Sequence, residues 1–162
     1  MLVAIIADTH IPRRAKALPS SCLEHLRAAD LIVHAGDLVS MPVLEELRGY
    51  GDVVAVHGNA DDAAVEEALP ERLDLDLAGR RVAVVHNGGA RLGRLGRLHR
   101  RYADADAVVF GHSHVPCHET DADGFQIFNP GSATDRRRQP KHTMGLARCC
   151  ADRIEFTLVA LD

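Results

Sequence analysis

Hydrophobic positions along the chain fall into short continuous runs, each closed by a polar turn. Leu2 to Ala7 is apolar throughout, the pattern of a strand buried on both faces, and it ends at Asp8-Thr9-His10. Ser21 and Glu24 have capping-box spacing and open a helix that presents Leu23 and Leu26 on one side. A second strand, Leu31 to Ala35, ends at Gly36-Asp37. Ser40 is placed to cap the next helix, with Pro42 in its first turn and Leu44 and Leu47 on its buried face. Asp52 to Val56 gives a third strand, ending at Gly58-Asn59. This succession predicts parallel strands joined by right-handed crossovers, and in such sheets ligands bind beyond the carboxyl ends of the strands.

The second half changes rhythm. Leu73 to Leu77 and Arg81 to Val85 predict a hairpin around Ala78-Gly79, and its second strand ends at His86-Asn87-Gly88-Gly89. Ala90 to Tyr102 has helical character weakened by Gly93 and Gly96. Ala105 to Phe110 predicts another buried strand, ending at Gly111-His112-Ser113-His114. Phe125 to Phe128, Met144 to Cys150 and Arg153 to Leu161 supply further strands. With no linker and no domain-scale repeat, one domain over residues 1–162 is expected.

Composition narrows the class. At 46% hydrophobic and 26% charged residues, the chain matches an ordinary globular protein and excludes a disordered tail, a rod or a long coiled coil. No apolar run approaches the ~18 residues of a membrane span, and the first residues lack the basic flank of a signal peptide. A cytoplasmic protein without a membrane partner is expected. A net charge of −4 gives no reason to expect nucleic acid as a partner. The four cysteines lack C-x-x-C spacing and read as reduced structural thiols, while homo-oligomerisation leaves no legible mark. Histidine is the outlier, at ten residues.

The candidate chemistry sits at the strand ends: Asp8, His10, Asp37, Asn59, His86, His112 and His114. Four imidazoles, two carboxylates and a carboxamide exceed what one divalent ion takes, and they match a two-metal site with a bridging carboxylate. The mixed donors suit manganese, iron, zinc or nickel better than calcium. Thr9, Ser113 and Ser132 lack the order of a hydrolase triad and read as turn formers.

This ordered set, together with Val115-Pro116 and Asn129-Pro130-Gly131-Ser132, resembles the calcineurin-like metallophosphoesterase superfamily from Leu2 to about residue 135. The likeness is to its small single-domain branch, which includes bacterial phosphodiesterases and the retromer subunit of the same fold. The resemblance implies a four-layer α/β/β/α sandwich of two mixed sheets. It also implies that Asp8, His10 and His114 ligate one metal, that Asn59, His86 and His112 ligate a second, and that Asp37 bridges them. Asp37, Asn59 and His86 become the expected catalytic positions. The implied activity is hydrolysis of a small phosphate ester, foremost a phosphodiester, by a hydroxide shared between two divalent ions, manganese favoured. The alternatives are a non-catalytic protein-binding scaffold and a phosphomonoesterase.

The chain departs from this pattern at Gly58-Asn59-Ala60-Asp61, where many relatives have G-N-H-[ED], and at Asn87-Gly88 after His86. Ala60 cannot protonate a leaving group. Asp61 either orients a group behind the ligands or caps the following helix with Asp62. His34 is placed behind the ligands or packed in its strand, and His57 either faces the cleft or does not. The basic residues at 91, 94, 97, 100 and 101 form a solvated face or a positive rim near His86 that steers phosphates, and Arg136 to Arg138 with Lys141 do likewise or form a surface loop.

Overall fold

The computed structural model describes residues 1–161 and gathers the apolar runs into two five-stranded sheets. The first half forms β1 (Leu2–Ile6), α1 (Ser20–Ala28), β2 (Leu31–His34), α2 (Met41–Arg48), β3 (Val53–Ala55) and α3 (Ala63–Ala68). Then come β4 (Arg72–Leu77), β5 (Arg80–Val85), α4 (Arg94–Arg101), β6 (Ala107–Val109), β7 (Cys117–Thr120) and β8 (Gln126–Asn129). The chain closes with β9 (Thr143–Cys150) and β10 (Arg153–Ala160). One sheet runs β10-β9-β1-β2-β3 and the other β4-β5-β6-β8-β7. Strands β1, β2 and β3 are parallel, as are β5, β6 and β8. Antiparallel β9 and β10 extend the first sheet; β4 and β7 edge the second.

Three apolar layers separate four structural ones. Val3, Ile5, Val33, Val84, Val109, Phe128 and Phe156 fill the space between the sheets. Their neighbours Ala4, Ile6 and Ile32 face outward and meet Cys22, Leu26, Leu44 and Leu47 of α1 and α2. On the far side, Ala83, Val108 and Ile127 pack against Leu98 and Tyr102. Both faces of β1 are therefore covered, which is why its run contains no polar residue. The result is an α/β/β/α sandwich.

Two capping expectations are corrected, and two elements differ from the sequence pattern. The capping box does not form: α1 begins after Pro19, and Ser21 Oγ instead donates to Leu161 O at 2.9 Å, pinning the helix to the end of β10. Ser40 is the N-cap of α2 with extended backbone, but its side chain makes no capping bond. Gly93 sets the boundary of α4 through a left-handed φ of 65°, so the helix is shorter than the apolar spacing predicts. Strand β7 has no counterpart in the sequence pattern because most of it is exposed.

Candidate metal centre

Strands β1, β2 and β3 end beside β5 and β6, and the five loops that follow them carry all seven candidate side chains. The backbone there is unusual. Asp8, His10, Asp37, His112 and His114 hold φ values of 53°, 46°, 62°, 68° and 57°, a left-handed region that non-glycine residues avoid. Each such residue costs about 1–3 kcal/mol and persists only where its surroundings fix it, so the concentration here marks a functional site. Gly58 is required by space: a Cβ there would stand 2.2 Å from Asp37 Oδ1 and 2.8 Å from His86 Cδ2.

The side chains form two overlapping groups. Ligand atoms of Asp8, His10 and His114 lie within 4.8 Å of one another, as do those of Asp8, Asp37 and His86. His10 Nε2 faces His114 Nε2 at 3.1 Å, and His112 Nδ1 faces His86 Nε2 at 3.3 Å. Asn59 Oδ1 is 2.8 Å from His112 Nδ1 and 3.1 Å from His86 Nε2. Asp37 Oδ2 stands between the groups, 3.6 Å from His10 Nε2 and 3.4 Å from His86 Nε2. Backbone carbonyls orient two of the rings. His86 Nδ1 donates to Ala35 O at 2.8 Å and His114 Nδ1 to Asp135 O at 2.5 Å, which turns both Nε2 lone pairs inward.

The electrostatics are those of a centre short of positive charge. Asp8 Oδ2 is buried without a hydrogen-bond partner among the described residues, and burial pushes the Asp8 carboxyl up to about 7. For Asp37, burial is outweighed by His86, the Ala60 N–H and His10, which bring it down to about 2. Burial lowers His114 to about 4. Burial also lowers His10 and His112, whereas at His86 burial is outweighed by Asp37 and Asp8, which raise the ring. Imidazoles held toward the neutral form at His10, His112 and His114, an anionic Asp37 and an unpartnered carboxylate oxygen on Asp8 are donors that divalent cations take. His86 beside two carboxylates marks where positive charge is favoured, so these residues fit a metal pair.

Other expected residues lie around this centre. Asp61 Oδ2 accepts from Gly58 N at 2.7 Å and Asp37 N at 3.1 Å, and its Oδ1 accepts from Val39 N, so it ties the Asp37 and Asn59 loops together. The helix cap is Asp62, which accepts from Val65 N at 3.0 Å. Buried His34 joins the turns after β1 and β2, meeting Thr9 Oγ1 at 3.0 Å through Nε2 and accepting from Gly36 N through Nδ1. His57 lines a recess of about 490 Å³ with Asn59, His86 and Tyr102.

Two of the α4 arginines turn back on their own chain, whereas Arg101 lines the recess beside Asn59 and His86. Arg97 donates to Gly88 O, Ala90 O and Leu92 O, and Arg94 donates to Gly89 O. The sequence reading passed over Arg13 and Arg14, which with Arg137 line a second recess beside Ala60. It also passed over the braces from the β8–β9 loop. Ser132 Oγ donates to Asp8 O at 2.8 Å and Asn129 Nδ2 to Gly111 O at 2.9 Å, which gives the Asn129-Pro130-Gly131-Ser132 turn its purpose.

Because Gly58 lets Asp37 and His86 approach, Gly58→Ala is expected to weaken divalent-metal affinity about 10–100-fold, as disturbed ligand supports commonly do. Competition against a chelating dye measures it. Unchanged affinity would show that the loop shifts without moving Asp37.

Residues 1–152 match the calcineurin-like phosphoesterase superfamily domain. The chain belongs to that superfamily. A probable metallophosphoesterase of Methanocaldococcus jannaschii is 32% identical over the whole of this chain and 82% of its own length. Among solved structures, Vps29 of Chaetomium thermophilum superposes with a TM-score of 0.82 at 18% identity, covering both chains completely. A structure described as a novel archaeal phosphodiesterase gives 0.73 at 19% identity, covering 98% of this chain and all of the other. At those identities the likeness is one of fold. Membership of the metallophosphoesterase superfamily implies divalent metal ions, and the site offers candidate residues to bind them. Among the described residues, no helix is long and apolar enough to cross a membrane.

Proposed function

We propose that the chain hydrolyses phosphate esters, phosphodiesters ahead of monoesters, using two divalent cations, manganese first among them. Asp8, His10 and His114 would hold one cation and Asn59, His86 and His112 the other, with Asp37 reaching both. One observation carries this reading: two pairs of imidazole nitrogens face each other at 3.1 and 3.3 Å, with Asp37 Oδ2 between the pairs. Such a cation pair supplies Lewis acidity to phosphate oxygens and makes water acidic enough to attack at neutral pH. The chain's residues do the positioning. Asn59 points Oδ1 at His86 and His112, which directs its amide N–H groups toward a phosphate oxygen.

The preference for diesters rests on shape. Asn59 borders both recesses, one of about 490 Å³ toward His57 and one of about 240 Å³ toward Ala60, so each ester arm has a place to lie. The archaeal phosphodiesterase neighbour supports the same reading. The likeness to Vps29 supports the scaffold alternative, but a scaffold needs no complete donor set.

Turnover of bis(p-nitrophenyl) phosphate against p-nitrophenyl phosphate separates these readings. The protein is expected to bind about two manganese ions per chain, to prefer the diester, and to lose turnover on chelation and regain it with manganese. Full activity in metal-stripped protein would overturn the mechanism. A manganese-loaded protein inert toward both esters would leave the scaffold, and faster monoester turnover would make it a phosphomonoesterase.

A further inference from the structure

The two recesses beside Asn59 differ in charge. The larger is lined by Glu66 and Glu71 against Arg72 and Arg101, with Val85 and the ring of Tyr102, so its formal charges balance. The smaller sets Arg13, Arg14 and Arg137 with His10, Asn59 and His112 and two carboxylates, Asp37 and Asp135, which leaves one formal positive charge in excess. All three arginines are exposed. Arg13 Nη1 donates to Ala60 O at 3.1 Å, which holds the guanidinium at the recess while leaving its other donors for a ligand. Arg14 Nε stands 4.0 Å from Asp135 Oδ2, a solvent-screened pair that leaves the guanidinium able to re-pair. Arg137 lines the same recess as His10, Asn59 and His112, on the side of the centre that Ala60 borders.

A phosphodiester carries one negative charge, and the proposed cation pair already meets it. With Asp37 turned toward the proposed cations, three guanidiniums against the one remaining carboxylate, Asp135, exceed that need, and planar forked donors are the side chains that recognise phosphate. We propose that the Arg13–Arg14–Arg137 recess binds a second phosphate on the same substrate. The substrate class is then a phosphodiester one of whose arms ends in a phosphate, with its uncharged arm lying toward Tyr102. This inference rests on the hydrolase reading above.

The test uses the p-nitrophenyl ester of thymidine 5′-phosphate with and without a 3′-phosphate. In manganese-loaded protein, the added phosphate is expected to raise kcat/KM by about 10-fold or more, the scale of a charge-assisted pair. The double variant Arg13→Ala/Arg137→Ala should bring the two substrates to within about 2-fold of each other, while Arg48→Ala on α2 should keep their ratio. By calorimetry, thymidine 3′,5′-bisphosphate should bind about 10-fold more tightly than the 5′-monophosphate, and the double variant should lose that difference. Equal kcat/KM for both esters in the parent protein, with turnover intact, would overturn this inference and leave the hydrolase reading standing. Turnover of neither ester would overturn both.

Discussion

Asp37→Ala is expected to lower manganese-supported turnover by about 10³-fold or more, a larger loss than any single arginine change in α4 produces. The carboxylate stands between the two imidazole pairs and, in the proposed arrangement, reaches both cations. Its Oδ2 lies 3.6 Å from His10 Nε2 and 3.4 Å from His86 Nε2, and its Oδ1 accepts the Ala60 N–H at 2.8 Å. Truncation removes a donor from each proposed cation and frees the Asn59–Ala60 loop. Arg97→Ala, in contrast, loosens the loop after β5 while leaving every candidate ligand in place. The pair is read by kcat/KM and by manganese stoichiometry, with thermal unfolding to show that both variants fold. A larger loss for Arg97→Ala would place the chemistry elsewhere.

The candidate ligands were legible because each terminates an apolar run that a two-faced burial demands. Leu2 to Ala7 must end somewhere, and a parallel sheet puts that end where ligands bind. What supports them was legible only as alternatives at Asp61 and His34, because it depends on contacts between distant loops. Adjacent Asp61 and Asp62 carry the same side chain, yet one accepts from three backbone N–H groups of the centre and the other caps α3. Ser132 meets Asp8 across 124 residues of sequence. The α4 arginines divide: the loop carbonyls just before the helix absorb Arg94 and Arg97, while Arg101 lines the recess beside His86. The cations that line the smaller recess come from loops, Arg13 and Arg14 after β1 and Arg137 from the Arg136–Arg138 run, which no periodicity marks.

Ala60 sets the last expected result: turnover should fall steeply as the leaving-group pKa rises, so that nitrophenyl esters are cleaved far faster than alkyl esters. The residue lies in the smaller recess with Asn59 and His112, where its methyl side chain can supply no proton. Arg13, hydrogen-bonded to Ala60 O, brings charge to the same place, but a guanidinium stays protonated and can offset an alkoxide without neutralising it. General-acid help is typically worth about 10²–10⁴-fold, and most for a basic leaving group. Ala60→His should therefore flatten the dependence by raising alkyl-ester turnover while changing nitrophenyl turnover little. The measurement is kcat/KM over a series of aryl and alkyl phosphodiesters for both proteins, with manganese stoichiometry checked in each. A parent rate nearly independent of leaving-group pKa, with chemistry shown to be rate-limiting, would mean that another side chain supplies the proton. His57, whose Nδ1 is buried without a partner among the described residues and which lines the recess beside Asn59 and His86, is then the residue to replace.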